Sequence, residues 1–183
     1  NNNLKEGSFI VDIGSNDGAF LQFFKQQGMR VLGIDPAENV ARYANNAGIE
    51  TIPEMFDQNL AEKIQQEYGS ADVITANNVF AHTDDMIGMA KSVKTLLNND
   101  GIFSFEVSYL LDVVDKMLLG TIFHEHLCYH TVKPLVHFLQ RQEMELIDVK
   151  RVPIQGGSLI CTAQVSGGKR DISDSIETLI QQE

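Results

Sequence analysis

Cysteine is scarce. The 183 residues hold two, Cys128 and Cys161, and neither belongs to a C-x-x-C pair. Two such thiols make no disulfide framework, so a reducing cytoplasm is the expected setting. Long apolar runs are missing as well: no segment reaches the roughly 18 uninterrupted apolar residues of a membrane helix. The polar opening from Asn1 to Gly7 lacks the apolar stretch of a signal peptide. Positive charge is thin, with 14 Lys and Arg against 25 Asp and Glu and a formal net charge of −11. A nucleic-acid footprint wants a basic stripe, and here Lys150-Arg151 and Lys169-Arg170 are the only adjacent basic pairs, so neither nucleic acid nor membrane is an expected partner. A small molecule is.

What is present is a core's worth of apolar residues, 43% of the chain, enough for one domain. The pattern is strand then helix, repeated. Strands are predicted at Ser8–Ile13, Arg30–Asp35, Ile49–Ile52, Ala71–Ala76 and Ile102–Val107, as short apolar runs that stop at glycine or polar residues. Helices are predicted at Asp17–Gly28, Ala37–Ala47, Gln58–Tyr68 and Asp84–Leu97, with a tight turn at Asn98–Gly101. Tyr109–His130 reads as an insertion, followed by a helix over Val132–Gln142. Strands at Glu145–Val152 and Ser158–Val165 come next, and a last helix starts near Asp171. Five alternations followed by two consecutive strands predict an α/β, Rossmann-like, doubly wound seven-stranded sheet whose last strand is reversed. Residues 1–170 form the expected domain, with 109–130 as a substrate-side segment. Residues 171–183 are expected to begin a helix that leads to a region beyond.

The sharpest local signal is Val11-Asp-Ile-Gly-Ser-Asn-Asp-Gly18, a strand running into a glycine turn and a helix. Such a turn sets backbone N–H groups and a helix N-terminus at the carboxyl edge of the sheet, where ligands bind. A dinucleotide site wants G-x-G-x-x-G. Here Asn16 stands in the middle glycine place, no third glycine follows Gly18, and Asp12 and Asp17 would face a dianionic phosphate. S-adenosyl-L-methionine brings a sulfonium and an ammonium, which carboxylates suit. Asp35, 21 residues after Gly14, ends the second strand where an acid can accept from both ribose hydroxyls.

Asp-Ile-Gly-Ser-Asn-Asp-Gly followed by Gly-Ile-Asp-Pro-Ala resembles the class I methyltransferases. Gly-Ser-Asn-Asp-Gly is closer still to the C-methyltransferases that act on nucleotide-linked keto sugars. Asn77-Asn-Val-Phe-Ala-His82, Phe105-Glu-Val-Ser-Tyr109, His124-Glu-His126 and Gly156-Gly-Ser158 look like that family too. The resemblance implies S-adenosyl-L-methionine as cofactor, with Gly14, Asp35 and the Asn77 region in contact with it; Asp12, Asn16 and Gly18 of the loop are the further candidate cofactor residues. It also implies site roles for His82, Glu125 and His126, and flanking domains outside this chain. Phe123 stands where the family often has tyrosine, and Gln155 where it often has histidine.

Four of the five histidines lie between His124 and His137. Three readings of Phe123-His-Glu-His-Leu-Cys-Tyr-His130 stay open. His124, His126, Cys128 and His130 are possible metal ligands, but no matching cluster occurs elsewhere, and no metal is expected. A plain surface loop is the second reading. The third is proton removal: methylating carbon beside a ketone requires loss of a proton, which histidine can take near neutral pH. His126 is the expected base, Glu125 orients an imidazole or a sugar hydroxyl, and His82 stands just past the fourth strand. Glu106 and Tyr109 are candidate pocket residues, with packing under the insertion as the other reading of Tyr109. The rivals are methylation of oxygen or nitrogen, a non-catalytic cofactor-binding module, and an NAD-dependent reductase.

Overall fold

The computed structural model describes residues 4–80, 82–122 and 127–183. Strands β1 (Phe9–Ile13), β2 (Arg30–Ile34), β3 (Thr51–Ile52), β4 (Ala71–Asn77), β5 (Leu97–Ser108), β6 (Met144–Val152) and β7 (Ser158–Val165) form one sheet. Its order is β3-β2-β1-β4-β5-β7-β6. The first five strands pair in parallel, and β7 runs antiparallel to both β5 and β6. The expected reversed last strand is present.

Helices α1 (Ala19–Gln26) and α2 (Glu38–Asn46) cover one face of the sheet. There Leu21 and Ala44 pack with Ile10, Ile49, Val73, Ile102 and Ile147. Helices α3 (Gln58–Tyr68), α4 (Met86–Leu96), α6 (Val132–Arg141) and α7 (Asp174–Ile180) serve the larger core on the other face. Each presents an apolar stripe at helical spacing, Leu60, Ala61 and Ile64 on α3 for example. Phe80, Phe103 and Phe105 stack at the centre of that core.

Several boundaries differ from expectation. The first helix starts at Ala19 because Gly18, its cap, stands at φ 77° and cannot be the helix interior. Helix α4 begins at Met86, where Asp85 accepts the Gly88 N–H at 2.8 Å as an N-cap. The expected turn at Asn98–Gly101 is strand instead: β5 already runs from Leu97, Asn98 Oδ1 accepts the Asp100 N–H at 2.9 Å, and the irregularity is a register shift in the pairing with β4 between Ala71 and Val73. The last helix begins three residues late, at Asp174, capped by Ser173. The insertion is partly helical, with α5 (Leu110–Asp115) and a 3₁₀ turn at Leu119–Thr121.

Candidate functional site

Parallel strands in register bring their carboxyl ends to one edge, and the turns after β1, β2 and β4 meet there. The turn after β1 is built for close approach. Gly14 has φ 72°, and a Cβ on it would stand 2.7 Å from Val79 Cγ2. Asn16 has φ 52°, a left-handed conformation that asparagine tolerates better than most side chains, which accounts for its place in the loop. The loop is braced from β2: Asp35 Oδ2 accepts the Asn16 N–H at 2.9 Å, and Asp35 Oδ1 accepts the Ala37 N–H at 2.9 Å. Each oxygen has a second lone pair, so the carboxylate still has acceptor capacity for a ligand.

Asp12 lies within the sheet, 3% exposed, and its Oδ1 accepts from the Thr75 hydroxyl at 2.6 Å. Burial pushes its carboxyl up to about 7, the Thr75 hydrogen bond pulls the other way, and the Asp35 charge adds to the rise. A carboxyl in such surroundings is ready to gain a cationic neighbour.

The turns open on a cavity of about 710 Å³, within the range of small-molecule sites. Gly14 lines it, as do Ile34 and Pro36 on either side of Asp35. Met55, Phe56 and Val79 give it apolar walls, Glu54 and Asp57 bring carboxylates, and His82, Thr83 and Asp84 line it as well. The stretch carrying His82 is held by Phe80, fully buried against Phe103 and Phe105, and by Asn78, whose N–H donates to the Glu106 carbonyl at 3.0 Å. Asn77 is the exposed last residue of β4, and its neighbour Asn78, at φ 56°, is the one in the wall.

Gly14, Asn16, Asp35 and His82 are therefore brought to one edge, with Asp12 just beneath. Glu125 and His126 lie outside the described residues, as do Phe123 and His124. Gln155 is described, at φ 51°, in the turn before β7. The segment Glu54-Met-Phe-Asp57 is absent from the expected site residues; its one signal in the sequence is an apolar pair between two acids directly after a short strand.

On the far side of the same edge, β5 runs into the insertion. Tyr109 is fully buried, and it pairs with His130, 7% exposed, in an isolated parallel bridge. Burial pushes the His130 imidazole down to about 4, so it is neutral at ordinary pH. Asp112 on α5, also fully buried, accepts a bidentate pair from Arg151 at 2.8 Å each and meets Lys116 at 2.5 Å. This clasp ties the start of the insertion to the end of β6. Gly157 sits against it so closely that a Cβ would stand 2.3 Å from the Asp112 side chain.

Comparison with known proteins agrees with this geometry. A family model described as a methyltransferase domain matches residues 2–149. C-methyltransferase NovU of Streptomyces niveus is 34% identical over 180 residues, which is 98% of this chain and 43% of that protein. A ubiquinone biosynthesis O-methyltransferase of Colwellia psychrerythraea is 25% identical over 164 residues, 80% of this chain and 66% of that one. The chain spans less than half the length of the first relative and about two thirds of the second. Among solved structures, Synechocystis magnesium protoporphyrin IX methyltransferase with bound SAH superposes with TM-score 0.65 at 17% identity, covering 86% of this chain and 74% of that one. A Burkholderia thailandensis N1-methyltransferase of 1,6-didemethyltoxoflavin does so at TM-score 0.65 and 20% identity, covering 88% and 72%. At these identities the likeness is one of fold. Sheet order, glycine turn and family match lead to one conclusion: the chain belongs to the methyltransferase domain family.

Proposed function

We propose that this domain binds S-adenosyl-L-methionine at the β1–β2–β4 edge and serves methyl transfer to carbon in a nucleotide-linked keto sugar. The observation that carries the cofactor reading is the glycine turn braced by Asp35 over the 710 Å³ cavity. Apolar walls at Ile34, Met55, Phe56 and Val79 suit a purine, and the Glu54 and Asp57 carboxylates suit its exocyclic amine. In this reading Asp35 accepts from the ribose hydroxyls. Asp12, buried beside the turn with its carboxyl raised to about 7, takes on its negative charge more readily once the ammonium or sulfonium is bound nearby. The donor contributes an electrophilic methyl group; the chain's residues supply the rest.

For carbon methylation the chain must take a proton from the carbon next to the ketone. His126 is the base in this reading, with Glu125 orienting either its ring or a sugar hydroxyl, and the insertion 109–130 forms the substrate side. His82, on the cavity wall, is the alternative base. Support comes from the C-methyltransferase relative. The O-methyltransferase relatives favour a second reading, methyl transfer to oxygen, which needs no carbon acid. The cysteine usage supports a cytoplasmic setting in this reading.

Calorimetry with S-adenosylhomocysteine and with NAD separates the cofactor classes: binding of the first and none of the second is the expected result. Asp35→Ala should weaken S-adenosylhomocysteine binding by about 1–3 kcal/mol, the cost of leaving polar groups unpaired. Equal affinity in that variant would remove Asp35 from the site. In the full-length protein, His126→Asn should leave cofactor binding intact while methyl transfer to a 4-keto sugar nucleotide falls by roughly 10²–10⁴-fold. Deuterium exchange at the adjacent carbon should vanish with it. Loss of exchange in His82→Asn instead would move the base to His82, and loss in neither would favour oxygen as the acceptor.

A further inference from the structure

The start of α6 already holds an anion. Glu183 reaches across to it, with Oε1 accepting the Val132 N–H at 2.5 Å and Oε2 accepting the Lys133 N–H at 3.2 Å. Thr131, the residue in cap position, makes no side-chain cap of its own. Free N–H groups and the helix dipole make such a terminus hospitable to carboxylate or phosphate. By itself this is an ordinary cap.

Two further features are not explained by capping. The Tyr109 hydroxyl is fully buried with the Glu183 carboxylate as its acceptor, and His130 Nε2, directly before the cap, is buried without a hydrogen-bond partner among the described residues. The Tyr109 hydroxyl faces the Glu183 carboxylate, whose charge helps raise it to about 12, after burial as the larger cause. Buried polar groups without partners cost stability, and a fold keeps them when a ligand completes them. Around them stand Lys133 at the helix start and the Arg151 guanidinium, 5.2 Å from the Tyr109 ring centre, with Lys116 behind it on Asp112. This cluster lies at the carboxyl edge of the sheet, where the insertion rejoins the fold.

We propose that the α6 N-terminus, with Tyr109 and His130, is a phosphoryl-binding site in which the Glu183 carboxylate stands in for a ligand oxygen pair. The ligand class is a phosphate or diphosphate group. A tyrosine hydroxyl and two helix amides donate to its oxygens, and Lys133 and Arg151 supply positive charge at its rim. If the substrate reading above holds, the group is the diphosphate of the nucleotide. The anion site itself does not depend on that reading or on methyl transfer.

The test uses the chain as it is, with calorimetry of inorganic phosphate and of thymidine diphosphate. Glu183→Ala removes the competing carboxylate and should bind at least one of them about tenfold more tightly than the wild type. Adding Tyr109→Phe should abolish that gain while S-adenosylhomocysteine binding stays unchanged. Tighter binding of thymidine diphosphate than of phosphate assigns the site to the nucleotide, and equal affinities assign it to free phosphate; either supports it. A folded Glu183→Ala variant with no gain for either ligand overturns the proposal and leaves Glu183 a helix cap. If that variant fails to fold, Glu183→Gln keeps a capping oxygen without the charge, and the same absence of gain is decisive there.

Discussion

Three residues carry sharp single-site consequences. Gly14 combines φ 72° with a virtual Cβ contact of 2.7 Å to Val79, so Gly14→Ala should lose S-adenosylhomocysteine binding and lower thermal stability by a strain of about 1–3 kcal/mol. Asp12 and His130 make stability depend on pH in opposite senses. The Asp12 carboxyl, raised from 3.8 to about 7, keeps its proton in the fold over a range where the unfolded chain has lost it. Its contribution therefore declines as pH rises from about 4 to 7. His130, lowered from 6.5 to about 4, refuses a proton that the unfolded chain accepts, so its contribution declines as pH falls through that window. Asp12→Asn keeps an acceptor for Thr75 and removes the first slope. Urea unfolding at pH 5 and pH 8 should show the variant gaining on the wild type at the higher pH, by an amount on the order of a few kcal/mol. A constant difference across that range would mean that Asp12 is charged throughout.

At the scale of elements, the Asp112–Arg151 clasp is the joint between the insertion and the β6–β7 hairpin. Arg151→Ala leaves a buried carboxylate with Lys116 as its remaining ionic partner among the described residues. The expected cost lies at the low end of about 3–5 kcal/mol, measurable by denaturant unfolding. Most elements are legible in the amino-acid pattern. Gln58–Tyr68 and Ser158–Val165 agree with expectation to the residue, because helix period and strand alternation dominate where both ends are punctuated by glycine or polar residues. The insertion is not legible in this way. Helix α5 spans six residues, too short for a periodic signal, and its hold is the ion pair to Arg151, some forty positions away. The cofactor edge is readable through Gly14, Asn16 and Asp35, since local backbone chemistry demands those residues. The Met55-Phe56 wall is hidden, because only the pairing of β2 with β3 carries that segment over the cavity.

For the molecule as a whole, a net charge of −11 on 183 residues sets up self-repulsion that salt screens. Raising ionic strength from low to physiological should increase the melting temperature; a decrease would mean that attractive surface pairs outweigh the repulsion. The sheet order has a further consequence for how the chain comes to be made. The strand that joins β5 to β6 is β7, the last of the seven in sequence. As the chain emerges from a ribosome, β1 to β5 can assemble, but the β5 edge stays bare and β6 has no neighbour until Ser158–Val165 arrives to fill the slot between them. A bare parallel edge of apolar strand invites pairing with another nascent chain. Premature termination anywhere before Ser158 should therefore yield an insoluble product, whereas stopping after Val165 leaves every strand with its native neighbours.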